Sequence, residues 1–276
     1  MKKNRRPYVQ LLAAVLYNCN ITGFAKGKIY KGKLKGLCAP GLNCYSCPGA
    51  VASCPLGSLQ SGLLMSKYKI PCYVLGTLLL LGLLFGRLIC GFLCPFGLLQ
   101  DLLDKIPLPK IKKNRITRVL SYLKYLILLA FVIVIPLVRL VPGFCKYICP
   151  AGTLEGGIPL TAADGKLRGL IGTLFSWKVF VLCLILLLCM FCYRAFCRFL
   201  CPLGALYSFF NPVSFFGIRV DEKKCTHCDA CVRNCKMDIK KVCDRECIHC
   251  GECIAHCPVN AISYQPGGRF SDRPVK

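Results

Sequence analysis

The chain has 276 residues, 55% of them apolar, 24 cysteines and a formal charge of +25. The apolar share exceeds the roughly 45–50% of soluble domains and is gathered in long blocks, which excludes an ordinary soluble enzyme and leaves room for one membrane domain and one small soluble module. A basic balance suits nucleic acid or an anionic lipid surface, and in so apolar a chain it points to lipid headgroups and excludes nucleic acid as a partner.

The first apolar stretch, residues 7–24, follows Lys2, Lys3, Arg5 and Arg6 and is interrupted by Asn18, Asn20 and Thr22. No small-residue cleavage site follows it, so an uncleaved helix is expected rather than a signal peptide. A Gly/Lys-rich tract covers residues 23–35. Three further stretches, 70–89, 119–141 and 174–193, approach the roughly 20 residues that a crossing needs, and Pro136 is expected to kink the third. The charged connection 101–118 carries Pro107 and Pro109. After Cys201 the chain leaves the apolar region through Phe209-Phe210-Asn211-Pro212. The expected fold is a mainly α membrane protein with about four transmembrane helices over residues 1–210. A C-terminal α+β module over 219–265 and a flexible tail over 266–276 complete it. Segments 87–118 and 25–69 hold seven Lys/Arg each, and the basic N-terminus tips the count toward a cytoplasmic N-terminus and C-terminal module.

Cysteines recur along the membrane part in one pattern. Cys90-Gly-Phe-Leu-Cys94-Pro95-Phe-Gly97-Leu-Leu-Gln100 returns as Cys145 to Glu155 and as Cys197 to Tyr207. A partial copy runs from Cys54 to Gln60, preceded by Cys44 and Cys47. Four occurrences of C-P-x-G-x-L are an internal repeat. Cysteines four apart can share one face of a helical turn, proline suits the first position of a new helix, and a helix start favours an anionic group. One pair supplies two thiolates and a cysteine-held [4Fe–4S] cluster needs four, so pairs must converge. Topology puts Cys90, Cys94, Cys197 and Cys201 together on the side of the C-terminal module. Cys145 and Cys149 are expected on the opposite face, with Cys54 and either Cys44 or Cys47, Cys47 being preferred. A disulfide or free thiols are the alternative there. Cys72, Cys183, Cys189 and Cys192 lie in apolar helices and read as small apolar residues.

The C-terminal module holds the densest pattern. Cys225, Cys228, Cys231 and Cys235 follow C-x2-C-x2-C-x3-C, and Cys247, Cys250, Cys253 and Cys257 repeat it, followed by Pro258. Two copies specify two [4Fe–4S] clusters with crossed ligation: Cys225, Cys228, Cys231 and Cys257 on one, Cys247, Cys250, Cys253 and Cys235 on the other. Lys236 stands where the first copy would carry proline. A segment of about 45 residues is too short for an adequate apolar core, so a metal staple is needed. Zinc is the competing metal, but it more often takes two separated pairs. Cys243 falls outside the pattern, and His227, His249 and His256 read as solvated positions near the clusters.

At these residues, over about 70–264, the chain resembles the NapH/NosR/CcoG-like family of membrane polyferredoxins. That resemblance implies four or more membrane helices, a cytoplasmic two-cluster ferredoxin tail, and electron transfer between a cytoplasmic donor or the quinone pool and an acceptor in or across a prokaryotic inner membrane. The N-terminal cysteines and the third C-x3-C-P motif depart from two-motif members. One or two clusters at the membrane motifs are therefore expected beside the two in the tail. Redox partners would be other proteins, a flavoprotein or quinone among them, since no G-x-G-x-x-G follows a strand. Quinol oxidation, copper reduction during assembly of another enzyme, and a zinc-stabilised membrane scaffold are the competing readings. A gap also has to be bridged: sites on opposite faces of a roughly 30 Å hydrocarbon core are too far apart for fast direct tunnelling, unless the motif loops dip inward or another cofactor bridges the gap.

Overall fold

A computed structural model describes residues 6–65, 71–111, 113–163, 165–169 and 171–266. The expected tail from 267 onward and the start of the second apolar stretch at Ile70 lie outside the described residues.

The described chain is mostly helical, with one small sheet. Two helices, Arg115–Arg139 and Thr173–Phe191, are long and apolar enough to cross a membrane. The Cys72–Phe85 helix is apolar but shorter, about 21 Å at 1.5 Å per residue. Val119, Val138, Leu126, Phe180 and Trp177 are exposed on the two long helices, while Arg87, Lys124, Arg194, Gln60 and Gln100 are fully buried. This inside-out distribution suits helices whose outer faces meet hydrocarbon.

Among the described residues, two helices rather than four meet the length and apolarity of a crossing. The first stretch is divided between a short Ile21–Lys26 helix and the Arg6–Tyr17 helix, the latter about 18 Å long. The longer helix ends where Asn18 turns its amide onto Ala14 O and Asn43 Oδ1, both at 3.0 Å. Its other end is drawn inward, because the Arg6 guanidinium pairs with Asp101 and donates to Gly91 O at 2.8 Å. Polar anchors at both ends thus fix this helix against the protein. The third stretch contains Pro136, and the helix adapts by widening into a π-helical segment, Leu128–Val134, just ahead of it. Proline has no N–H for the carbonyl four residues back, and a wider turn accommodates its ring.

The C-terminal module closes with two antiparallel strands, Phe216–Val220 and Ile262–Pro266, paired from Phe216↔Pro266 to Val220↔Ile262. Its second cysteine copy faces the helical part. His227 and His249 occupy matching positions in the two copies, both with positive φ. His227 is exposed, but His249 is fully buried, contrary to the solvated position expected for it. Its Nδ1 accepts from Ile218 N–H at 2.9 Å and its Nε2 lies 2.9 Å from Asn211 Oδ1, which fills the junction between module and helices.

Carboxylates that each grip two cations hold the junction. Glu246 of the module pairs with Arg87 at 2.7 Å and with Lys124. Asp238 of the module pairs with Arg198 at 2.8 Å and with the more exposed Arg118 at 3.1 Å. Burial alone would raise the Glu246 carboxyl; Arg87 and Lys124 more than offset it and hold it below its ordinary value of 4.5. A lowered folded-state value contributes stability that is present above 4.5 and lost as pH falls through the lower folded value. Docking is therefore expected to be flat in pH above about 4.5 and to weaken below it. Glu246→Ala strands two buried cations and should cost about 3–5 kcal/mol, seen as a lower thermal transition and faster proteolysis between Phe210 and Phe216.

Candidate metal centres

The repeated C-P-x-G motif has one local geometry. Proline excludes the α region for the residue before it, and Cys94 and Cys201 accordingly sit extended, at φ −88, ψ 117 and φ −75, ψ 111. Helices then start at Pro55, Pro95 and Pro202, which makes each cysteine the cap of a new helix. The amide of the glycine three residues on meets the sulfur: Gly204 N to Cys201 Sγ is 3.4 Å and Gly152 N to Cys149 Sγ is 3.3 Å. The amides of Gly97 and Gly57 are aimed at Cys94 and Cys54 in the same way. Glycine is required because a Cβ at Gly97 would lie 2.9 Å from Cys90 O, and one at Gly204 3.1 Å from Cys197 O. Each motif thus points first-turn N–H groups at a sulfur that ligation would make anionic.

Two groups of thiols form in the helical part. Cys90, Cys94, Cys197 and Cys201 are buried together and act on one another electrostatically. The second group is Cys54, Cys145, Cys149 and Cys44. Cys44 stands where Cys47 was preferred. The Cys44 amide donates to Glu155 Oε2 at 2.7 Å, which turns this residue toward the other three, whereas the Cys47 thiol meets Asn18 Oδ1 at 3.6 Å. Among the described residues, no three Cys, His, Asp or Glu side chains gather as a single metal ion would hold them. A lone zinc needs sulfurs roughly 3.8 Å apart, given Zn–S of about 2.3 Å, whereas a cubane carries its thiolates farther apart on separate irons.

The donor chemistry fits a cluster. Burial pushes the thiols of Cys54, Cys149 and Cys201 up. Cys44 and Cys145 are pushed up to about 12, by burial first and then by Glu155 for Cys44 and by Cys54 for Cys145. These thiols stay protonated at neutral pH unless iron supplies the opposing charge, so loading would release protons and couple to folding.

In the module, Cys235, Cys247, Cys250 and Cys253 lie together, and Cys225 lies with Cys231. Cys228 is exposed, and Cys257 Sγ accepts from Ala261 N–H at 3.3 Å. Cys243 Sγ lies 3.6 Å from Asn211 O, and the Cys243 amide is aimed at the Cys247 sulfur. Of the helix cysteines expected to be inert, Cys72 and Cys183 are exposed, while Cys189 and Cys192 are buried beside Cys197 and Arg198.

The groups stand next to one another. The loop from Cys38 to Cys54 folds in against the Cys94 motif. A Cβ on Gly41 would lie 2.8 Å from the Cys94 Cα, so only glycine permits this approach. The Leu42 amide is aimed at Cys94 and the next amide, Asn43, at Cys54. Consecutive residues are about 3.8 Å apart and each amide lies within hydrogen-bond reach of its sulfur, so the Cys94 and Cys54 sulfurs are at most about 12 Å apart. The module's second cysteine copy also packs closely here: a Cβ on Gly91, next to Cys90, would meet Ile248 O, next to Cys247, at 2.3 Å. Sequence reasoning left without a role Gln60, Gln100 and Glu155, which bond to these groups. The signal was their shared place in the repeat, six residues after the Cys-Pro cysteine.

Comparison with known proteins agrees with the donor chemistry. The chain matches a 4Fe-4S binding domain family over residues 73–114, 124–158 and 173–219, one match for each complete C-x3-C-P motif. A second family of 4Fe-4S binding domains matches residues 244–263, the second cysteine copy of the module. The chain is 32% identical over 171 residues to MJ0750, an uncharacterized protein of Methanocaldococcus jannaschii. That alignment covers 59% of this chain and 64% of MJ0750. MJ0749 of the same organism, also uncharacterized, is 31% identical over 59% of this chain and 56% of its own length. Escherichia coli YccM, named provisionally as an electron transport protein, is 28% identical over 64% of this chain and 49% of its own length. The chain thus spans between about half and just under two thirds of these curated relatives. No solved structure matches it. The chain binds [4Fe–4S] clusters through ferredoxin-type domains; the matches stop short of the narrower NapH/NosR/CcoG-like family.

The geometry separates two neighbouring cysteines. Cys44→Ala should remove about four iron atoms per chain, one cluster's worth, while Cys47→Ala should leave the iron content unchanged. Anaerobic iron and acid-labile sulfide analysis of the two variants reads the difference.

Proposed function

We infer that the chain is a membrane-bound one-electron relay with four [4Fe–4S] sites in series. Cys225, Cys228, Cys231 and Cys257 form the outermost site of the soluble module, and Cys235, Cys247, Cys250 and Cys253 the site buried against the helices. Cys90, Cys94, Cys197 and Cys201 form the next, and Cys44, Cys54, Cys145 and Cys149 the last. When bound, the clusters supply reversible one-electron reduction.

The observation that carries this reading is the sharing of adjacent residues between neighbouring sites. Leu42 and Asn43 serve two thiol groups. Gly91 and Ile248 touch between two others. Sulfurs of the two groups no more than about 12 Å apart at Cys94 and Cys54 remove the need for a further cofactor between these sites. Buried cations add to the case. Arg194 donates to Cys90 O at 2.6 Å and Arg87 to Cys197 O at 3.3 Å, so positive charge lies where an extra electron would reside.

The membrane setting rests on the Arg115–Arg139 and Thr173–Phe191 helices, with Cys72–Phe85 as a third, shorter apolar helix. The module would face the cytoplasm of a prokaryotic cell and take electrons from, or return them to, a soluble redox protein, a flavoprotein or a quinone. Protein purified anaerobically should contain about sixteen iron and sixteen acid-labile sulfide per chain. About eight of each would confine the clusters to the module, and zinc in place of iron would overturn the relay.

A further inference from the structure

Gln60 and Gln100 are fully buried and come from different copies of the repeat. Each reaches out of its own motif to the first cysteine of the motif across the site. Gln100 Nε2 donates to Cys197 Sγ at 3.0 Å and Gln60 Nε2 to Cys145 Sγ at 3.3 Å. The second N–H of each amide returns to its own helix, at Phe96 O and Leu56 O, both at 3.3 Å. The carboxamide oxygens also do matching work: Gln100 Oε1 accepts from Cys197 N at 3.3 Å and Gln60 Oε1 from Phe144 N at 3.1 Å. A backbone N–H can only donate, so the oxygen must face it and the NH2 must face the sulfur. The orientation of both amides is therefore fixed by their partners.

The repeat carries glutamine at this position in two copies, while the partner copies carry Glu155 and Tyr207. Each thiol group thus combines one glutamine copy with one that lacks it. We propose that Gln60 and Gln100 are positioning residues that match each Cys-Pro motif to its partner and set the reduction potential of the cluster held there, through the N–H···S bond to Cys145 and to Cys197. This rests on the cluster assignment above. Reduction adds negative charge to the cluster and its thiolates. A donor on the sulfur stabilises the reduced form more than the oxidised one, and so raises the potential.

The test is an anaerobic redox titration followed by electron paramagnetic resonance, with iron counted in the same samples. The two membrane signals are assigned by their loss in Cys201→Ala and Cys54→Ala. Gln100→Leu should keep its iron and lower the midpoint of the Cys201-dependent signal alone; Gln60→Leu should lower the Cys54-dependent one alone. Gln100→Glu and Gln60→Glu keep the side-chain shape and lose the NH2, and should lower the same midpoints should the leucine variants fail to assemble. Iron retained with unmoved midpoints overturns the proposal, as does loss of the cluster in both leucine and glutamate variants, which would make the glutamines purely structural. Absence of both membrane signals from the unaltered protein overturns the cluster assignment itself, and this inference with it.

Discussion

Burial of sulfur is the constraint on which the rest of this structure depends. A thiolate taken out of water is costly unless charge and hydrogen bonds replace the lost solvent. The chain answers with one local device used four times. Proline ends a turn, leaves a cysteine extended at the start of a new helix, and glycine lets that helix pack down so that its free amides meet the sulfur. The thiols remain raised by burial even so. The amides alone do not supply enough compensation, and iron completes it.

The same demand for compensating charge organises the junction between module and helices. Arg87 and Arg194 are fully buried and bond to carbonyls of the cysteine motifs while pairing with Glu246 and Asp101. Asp101 and Glu246 each hold two cations, so each of these clusters of charge keeps a net positive balance next to the thiols. The arrangement serves docking and anion stabilisation together. It also accounts for part of the large formal charge, some of which lies buried inside the protein.

What could be read from the sequence was local. The C-x2-C-x2-C-x3-C copies and the C-P-x-G repeats announce themselves by spacing, because each is made within a turn or two of chain. The long apolar helices announce themselves by length, to within a few residues at Thr173–Phe191. What escaped depends on contacts between distant segments. Residues 7–24 are apolar enough to suggest a crossing, but Asn18 and Arg6 find partners at Asn43 and Asp101 that anchor a short helix instead. Cys44 and Cys47 are equivalent by spacing, and what sets them apart is the Cys44 amide donating to Glu155, more than a hundred residues away. His249 looks like His227 in the motif and differs only because its copy of the module lies against Asn211. The inward fold of the Cys38–Cys54 loop depends on Gly41 meeting Cys94, which no local pattern announces.

The central claim is that the two thiol groups of the helical part hold neighbouring clusters, with the Cys54 and Cys94 sulfurs within about 12 Å of each other. Magnetic interaction between reduced clusters tests it directly. Fully reduced protein should give a broadened, spin-coupled resonance that loses the coupling component of the membrane-motif pair when Cys149→Ala removes one partner, while coupling among the three remaining clusters persists. Two independent narrow signals in the unaltered protein, unchanged in shape by that substitution, would contradict it.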